Sequence, residues 1–190
     1  MSSTRDQIIE TTCSLIESQG LHATGLTQIL RESGAPKGSL YYYFPEGKDE
    51  LAEAAIMRAG SATAARIRAS LAAIDDPAEA VRALVVTIAH LVEASGFRSG
   101  GPLMTVAMET ATTNARLNLA CREAYDRLQG AFAAKLAASG FAHERAAALA
   151  TFITAAIEGG VVLSRTYHSG DPLRRVAEEL SLLLQTTHRS

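Results

Sequence analysis

The sequence predicts an all-α fold of about nine helices. Three observations predict it. Alanine is abundant and proline scarce, with 5 prolines in 190 residues. Apolar residues recur at the three-and-four spacing of a helix face between glycine and proline breaks. Strand-like alternation is nearly absent. The composition, 47% hydrophobic and 20% charged, supplies a globular core.

Taken in order, the first helix is expected over about Thr4 to Gln19, with Ile8, Ile9, Thr12, Leu15 and Ile16 on one face and Gly20 as its stop. Thr24 is read as the N-cap of a short second helix carrying Leu26, Ile29 and Leu30, ended by Gly34. A third helix is expected from Pro36 to about Tyr41, with proline in the first turn, where its missing N–H costs nothing. Pro45 and Gly47 then break the chain. A longer helix starts near Lys48 or Asp49 and runs to Leu71. Asp76-Pro77 reads as a cap and first-turn proline for a helix ending near Gly96. Residues 97–102 read as a loop, and a helix is expected from Leu103 to Glu109. The next carries Leu117, Cys121, Tyr125, Leu128, Phe132 and Leu136 up to Gly140. Glu144 to Tyr167 forms another, and Asp171-Pro172 opens the last.

Two isolated cysteines, Cys13 and Cys121, without a CxxC pair, point to a reduced cytoplasmic protein. No apolar run reads as long enough to span a membrane, and no signal segment is evident at Met1. His22, His90, His143, His168 and His188 have no metal-ligand spacing, so no metal and no cofactor are expected. Nucleophile-elbow, phosphate-loop and triad patterns are absent, which argues against an enzyme. Net charge is −2. Residues 1–50 are acidic too: four positive side chains (Arg5, Arg31, Lys37, Lys48) face seven acidic ones. Any nucleic-acid surface must therefore be a local patch.

Such a patch is legible between Thr24 and Leu51. Two short helices joined at Gly34 have the form of a helix-turn-helix. Leu26, Ile29, Leu30, Leu40, Tyr43 and Phe44 are expected inside. The second short helix then presents Lys37, Gly38, Ser39, Tyr41 and Tyr42 outward, where a major groove admits one helix. Lys37 suits guanine acceptors or phosphate, Ser39 suits either, and Gly38 lets the backbone come close. Tyr41, Tyr42 and Lys48 suit phosphate oxygens, and Thr24 and Thr27 are further candidate DNA contacts.

The run from Gly34 to Phe44 (GAPKGSLYYYF), with Lys48 and Leu51 after it and Gly20, Thr24, Leu26 and Ile29 before it, resembles the N-terminal signature of TetR regulators. The Phe44-Pro45-Glu46-Gly47-Lys48 form resembles the LmrA/YxaF-like subset, as does the later stretch from Ile157-Glu158-Gly159-Gly160 to Asp171-Pro172-Leu173. Gly25, Ala35 and Pro36 depart from the common pattern. The resemblance implies a helix-turn-helix DNA-binding domain over 1–47. It also implies a ligand-binding and dimerisation domain over 48–190, with 48–71 as the linker helix. It further implies a homodimer on palindromic double-stranded operator DNA, acting as a repressor that a small hydrophobic or aromatic inducer releases. For this subset the inducer would be flavonoid-like or drug-like. The alternative is an all-helical carrier or enzyme without DNA binding.

In the second half, Phe97, Met104, Met108, Tyr125, Phe132, Phe152 and Tyr167 are candidates to line a ligand cavity, since methionine and aromatics suit adaptable apolar pockets. Phe152, Ile153, Ile157, Val161, Val176, Leu180 and Leu184 are candidates for a dimer seam. By pattern alone they are equally a protomer core.

Overall fold

The structure, a computed structural model, describes residues 3–98 and 100–188, the side chains of Pro102 and His188 excepted. Of the expected loop over 97–102, Ser99 lies outside the described residues. Among the described residues there are nine helices and no strand. They are α1 (Thr4–Gln19), α2 (Leu26–Ser33), α3 (Lys37–Tyr43), α4 (Lys48–Ala72), α5 (Pro77–Ala94), α6 (Pro102–Thr110), α7 (Ala115–Ala138), α8 (His143–Tyr167) and α9 (Asp171–His188). The chain forms two compact units. One holds α1–α3, α4 up to Ala62, α6, and α7 up to Tyr125. The other holds α4 from Thr63, α5, α7 from Asp126, α8 and α9.

In the first unit the helix ends are set by local chemistry. Ser3 caps α1 by accepting from the Asp6 N–H at 3.1 Å. Gly20 ends the helix at φ 84°, a backbone region that favours glycine. The core is Ile8, Ile9, Ile16, Ile29, Leu40, Phe44 and Leu51. Two expectations change. The N-cap of α2 is Gly25, not Thr24. Thr24 is 1% exposed, and its hydroxyl donates back to the Gly20 carbonyl at 2.7 Å. Pro36 stands at the N-cap of α3 rather than inside it, and α3 runs on to Tyr43. Further along, a Cβ on Gly60 would lie 2.6 Å from the Ala124 Cβ, so only glycine lets α4 and α7 approach there.

In the second unit α5 packs on α8 and α9. Asp76 caps α5 by accepting from the Glu79 N–H at 2.7 Å, and Pro77 occupies the first turn. Helix α8 is apolar on two sides. Its inner stripe is Ala146, Leu149, Ala150, Ile153, Thr154, Gly160, Val161 and Ser164. A Cβ on Gly160 would lie 2.8 Å from Leu173 Cδ2, so this glycine brings α9 close. On the opposite side Phe152, Val162, Leu163 and Tyr167 are exposed, and α9 adds Leu182. The expectation that no segment matches a membrane span is corrected here. Among the described residues α8 is long and apolar enough by length and composition. Alanine, glycine and valine fill it on both faces, and part of that surface packs against α5 and α9.

Candidate DNA-binding surface

The turn between α2 and α3 is made by Gly34 at φ 66° and ψ 10°, the left-handed region that a helix C-cap requires. Ile29 and Leu40 are buried on either side of it, and Phe44 closes α3 from below with 1% exposure. These anchors leave the other side of α3 to solvent. Lys37, Gly38, Tyr41 and Tyr42 are exposed and Ser39 is half-buried. Tyr42 is 79% exposed, and its ring meets Tyr43 edge-on at 5.0 Å between centroids. A Cβ on Gly38 would meet nothing within 4 Å. Packing inside the protomer therefore does not explain glycine there, and the bare backbone offers close approach to a partner. No side chain caps the first turn of α3, and the Ser39 N–H donates to the Pro36 carbonyl at 2.9 Å.

The acidic balance of residues 1–50 looks different once folded. Arg58 of α4 binds Asp6 at 2.7 Å and Glu10 at 2.5 Å. The Ser3 hydroxyl, and after it Arg58, hold the Asp6 carboxyl below the usual carboxylate range. Arg116 of α7 binds Glu46, and also Glu53 at 2.6 Å. Glu32 pairs with Arg31 at 3.4 Å. Among the described residues Lys37 makes no ion pair, so its charge is available to phosphate or guanine. Arg5 stands beside the end of α3, its guanidinium 5.4 Å from the centre of the Phe44 ring, and is exposed. It is a further candidate phosphate contact that sequence reasoning missed.

Of the other expected DNA contacts, Thr27 is exposed in the first turn of α2 and Lys48 is half-buried at the start of α4. Thr24 is not a surface group. Its hydroxyl is spent inside the α1–α2 corner, where Gln19 Nε2 reaches it at 3.4 Å, so it is withdrawn from the contact set.

Two family descriptions match this chain. "Bacterial regulatory proteins, tetR family" covers residues 8–55, which contain the whole helix-turn-helix. "Transcriptional regulator LmrA/YxaF-like, C-terminal domain" covers residues 77–179. This chain belongs to the TetR family. It is a helix-turn-helix, DNA-binding transcriptional regulator of that family. It is 39% identical over 181 residues to the HTH-type transcriptional regulator YxaF of Bacillus subtilis, covering 95% of each chain. It is 35% identical to LmrA of the same organism, over 95% of this chain and 96% of that one. The fold is also that of a TetR regulator from Rhodobacter sphaeroides, with a TM-score of 0.81, 20% identity and 95% and 98% of the two chains covered.

The expected ligand residues do not form a single surface in this TetR-family chain, whereas Phe152, Val176 and Leu180 of the expected dimer seam line one open groove of about 440 Å³. Met104, Met108 and Tyr125 lie in the first unit, whereas Phe97, Phe132, Phe152 and Tyr167 lie in the second. Phe132 is 2% exposed and belongs to the core, while Met108, Phe152 and Tyr167 are exposed. Phe97, Met104 and Tyr125 are half-buried. The cavity lined by Cys13, Ile16, Ala55, Ile56, Ala59 and Leu103 measures about 10 Å³, a water-sized space. Burial pushes both thiols, Cys13 and Cys121, up to about 11. In the expected dimer seam, Ile153, Val161, Leu180 and Leu184 are buried within the protomer and hold α8, α9 and α5 together, so they are corrected to core residues. Phe152 is exposed, and Ile157 and Val176 are half-buried.

Proposed function

We propose that this chain is a homodimeric repressor that holds a palindromic operator through two copies of α3 and leaves it when a small hydrophobic or aromatic molecule enters the helical bundle. The observation that carries the reading is the exposed face of α3, with Lys37 in no ion pair among the described residues, Gly38 bare and Tyr41 and Tyr42 projecting. Lysine and glycine reach base edges or backbone, and the tyrosine hydroxyls reach phosphates. The exposed apolar stripe of α8, with Phe152, Val162, Leu163 and Tyr167, supports pairing of two protomers. A palindrome demands that same two-fold symmetry.

Release is a population shift. The ~10 Å³ cavity beside Cys13 admits no drug-sized molecule, whereas the open groove of about 440 Å³ lined by Phe152, Val176, Leu180 and Leu183 on α8 and α9 is of that size. An inducer must also prefer the released form by ~100-fold, worth ~2.7 kcal/mol. A flavonoid-like or drug-like inducer is what the resemblance to the LmrA/YxaF-like subset implies. On this reading the protein works in the cytoplasm, by binding and not by catalysis.

The test is a gel shift with DNA from upstream of the protein's own gene. Wild type should retard it, less so as salt rises. The pair Lys37→Ala with Tyr42→Ala should lose affinity by roughly a hundredfold while the circular dichroism melt stays put. Wild-type affinity in that double variant would remove α3 as the reading element.

A further inference from the structure

We propose that the segment from Glu109 to Arg116, where α6 passes into α7, sets the pose of α2 and α3, with Glu109 and Arg116 as positioning residues for DNA binding. The inference rests on the DNA-binding reading of α3 and adds the device that steadies it.

The segment grips the chain on both sides of the helix-turn-helix. Ahead of α2, Glu109 Oε2 accepts from the Leu21 N–H at 3.0 Å and the His22 N–H at 3.1 Å. His22 Nδ1 lies 3.0 Å from the same oxygen. These backbone donors sit in the α1–α2 connection, where no helical carbonyl serves them. Gly20 makes room for the grip: a Cβ there would lie 2.5 Å from Glu109 Oε1. Behind α3, Arg116 binds Glu46 in the α3–α4 connection and Glu53 on α4 at 2.6 Å. Asn114 Nδ2 donates to Asp49 at 2.8 Å, while its Oδ1 accepts from the Leu117 N–H at 3.1 Å and so starts α7.

The α2–turn–α3 segment is thus slung between two charge-assisted contacts that share one short support. Without them, α2 and α3 still hold to α1 through the buried Ile29, Leu40 and Phe44 and through the Gln19–Gln28 hydrogen bond at 2.9 Å, but the two flanks lose their charged ties. A looser reading head pays its ordering entropy when DNA binds. A shift of the support would move both flanks together, whatever causes it.

Hydrogen exchange on the full-length protein tests this, alongside affinity for the upstream DNA. Glu109→Ala and Arg116→Met should each speed amide exchange over residues 20–22 and 26–43 by about tenfold, with α8 and α9 unchanged. DNA affinity should fall by about tenfold. Glu109→Gln keeps an acceptor oxygen and should stay within about threefold of wild type in both readouts. Unchanged exchange in α2 and α3 would overturn the proposal. So would equal acceleration in α8 and α9, which marks general destabilisation, or a Gln variant as damaged as the Ala one. Should wild type bind no DNA, the repressor reading fails, while exchange alone still decides whether the grips hold α2 and α3.

Discussion

Helices α3 and α8 both leave a face uncovered, and the two faces differ in chemistry. α3 is 7 residues long and shows an ammonium, a bare glycine and two phenols. α8 is 25 residues long and shows Phe152, Val162, Leu163 and Tyr167 among alanines and glycine. The first face is content in water until an anion arrives. The second loses free energy to water at ~25 cal/mol for each Å² left exposed, and is relieved by any apolar cover. In one case exposure prepares recognition; in the other it prepares association.

The largest expected effect comes from breaking the second face. Phe152→Asp with Leu163→Asp should leave a folded single protomer by analytical ultracentrifugation, with upstream-DNA affinity down by roughly a hundredfold or more, because both half-sites can no longer be held at once. A dimer surviving in that variant would show that the stripe is covered by something else. Next comes the contrast one residue along. Ile153 is fully buried, so Ile153→Ala should cost ~2–5 kcal/mol in denaturant unfolding, while Phe152→Ala in the isolated protomer should cost under ~1 kcal/mol. The same contrast holds on α3 with smaller numbers on the outer side. Tyr42→Ala should alter stability by ~0.5 kcal/mol or less, whereas Leu40→Ala should approach the Ile153 value.

The smallest effect is acid dependence. Arg174 holds the Glu93 carboxyl, and Arg82 the Glu79 carboxyl, below the ordinary range by hydrogen bonds. The folded values lie below the unfolded ones, so the contribution is present above the unfolded range of ~4.3 and is lost as pH falls through the folded values. Melting temperature should hold down to about pH 5 and drop below about pH 4, and Glu93→Gln should flatten part of that drop.

Much of this was legible in the residues. Gly20, Gly34 and Asp76-Pro77 fix helix ends by short-range chemistry, and the order of the nine helices among the described residues follows from such punctuation. The exposed side of α3 was legible too, because Leu40 and Phe44 are apolar while Lys37, Tyr41 and Tyr42 carry polar tips. The faces of α8 were not. With apolar residues all round, its period has little contrast, so the seam expected over Phe152, Ile153, Ile157 and Val161 mixes the exposed Phe152 with Ile153 and Val161, which face inward. The corner chemistry was also hidden. Thr24 looks like a cap but bonds backward to Gly20, and Glu109 meets Leu21 across 88 positions of sequence. Arg58 and Arg116 neutralise acids 48 or more positions away, which no local charge count records.

If two copies pair through the bare outer stripe of α8, as proposed, this protein's stability is tied to its own abundance. A molecule that binds the folded form stabilises it more as more of it is present, and on the proposed reading that molecule is a second copy. Dilution should therefore lower the melting point. In a cell holding few copies, newly made chains spend longest in their most fragile form, so the supply of the regulator is itself a variable in how firmly its genes are held.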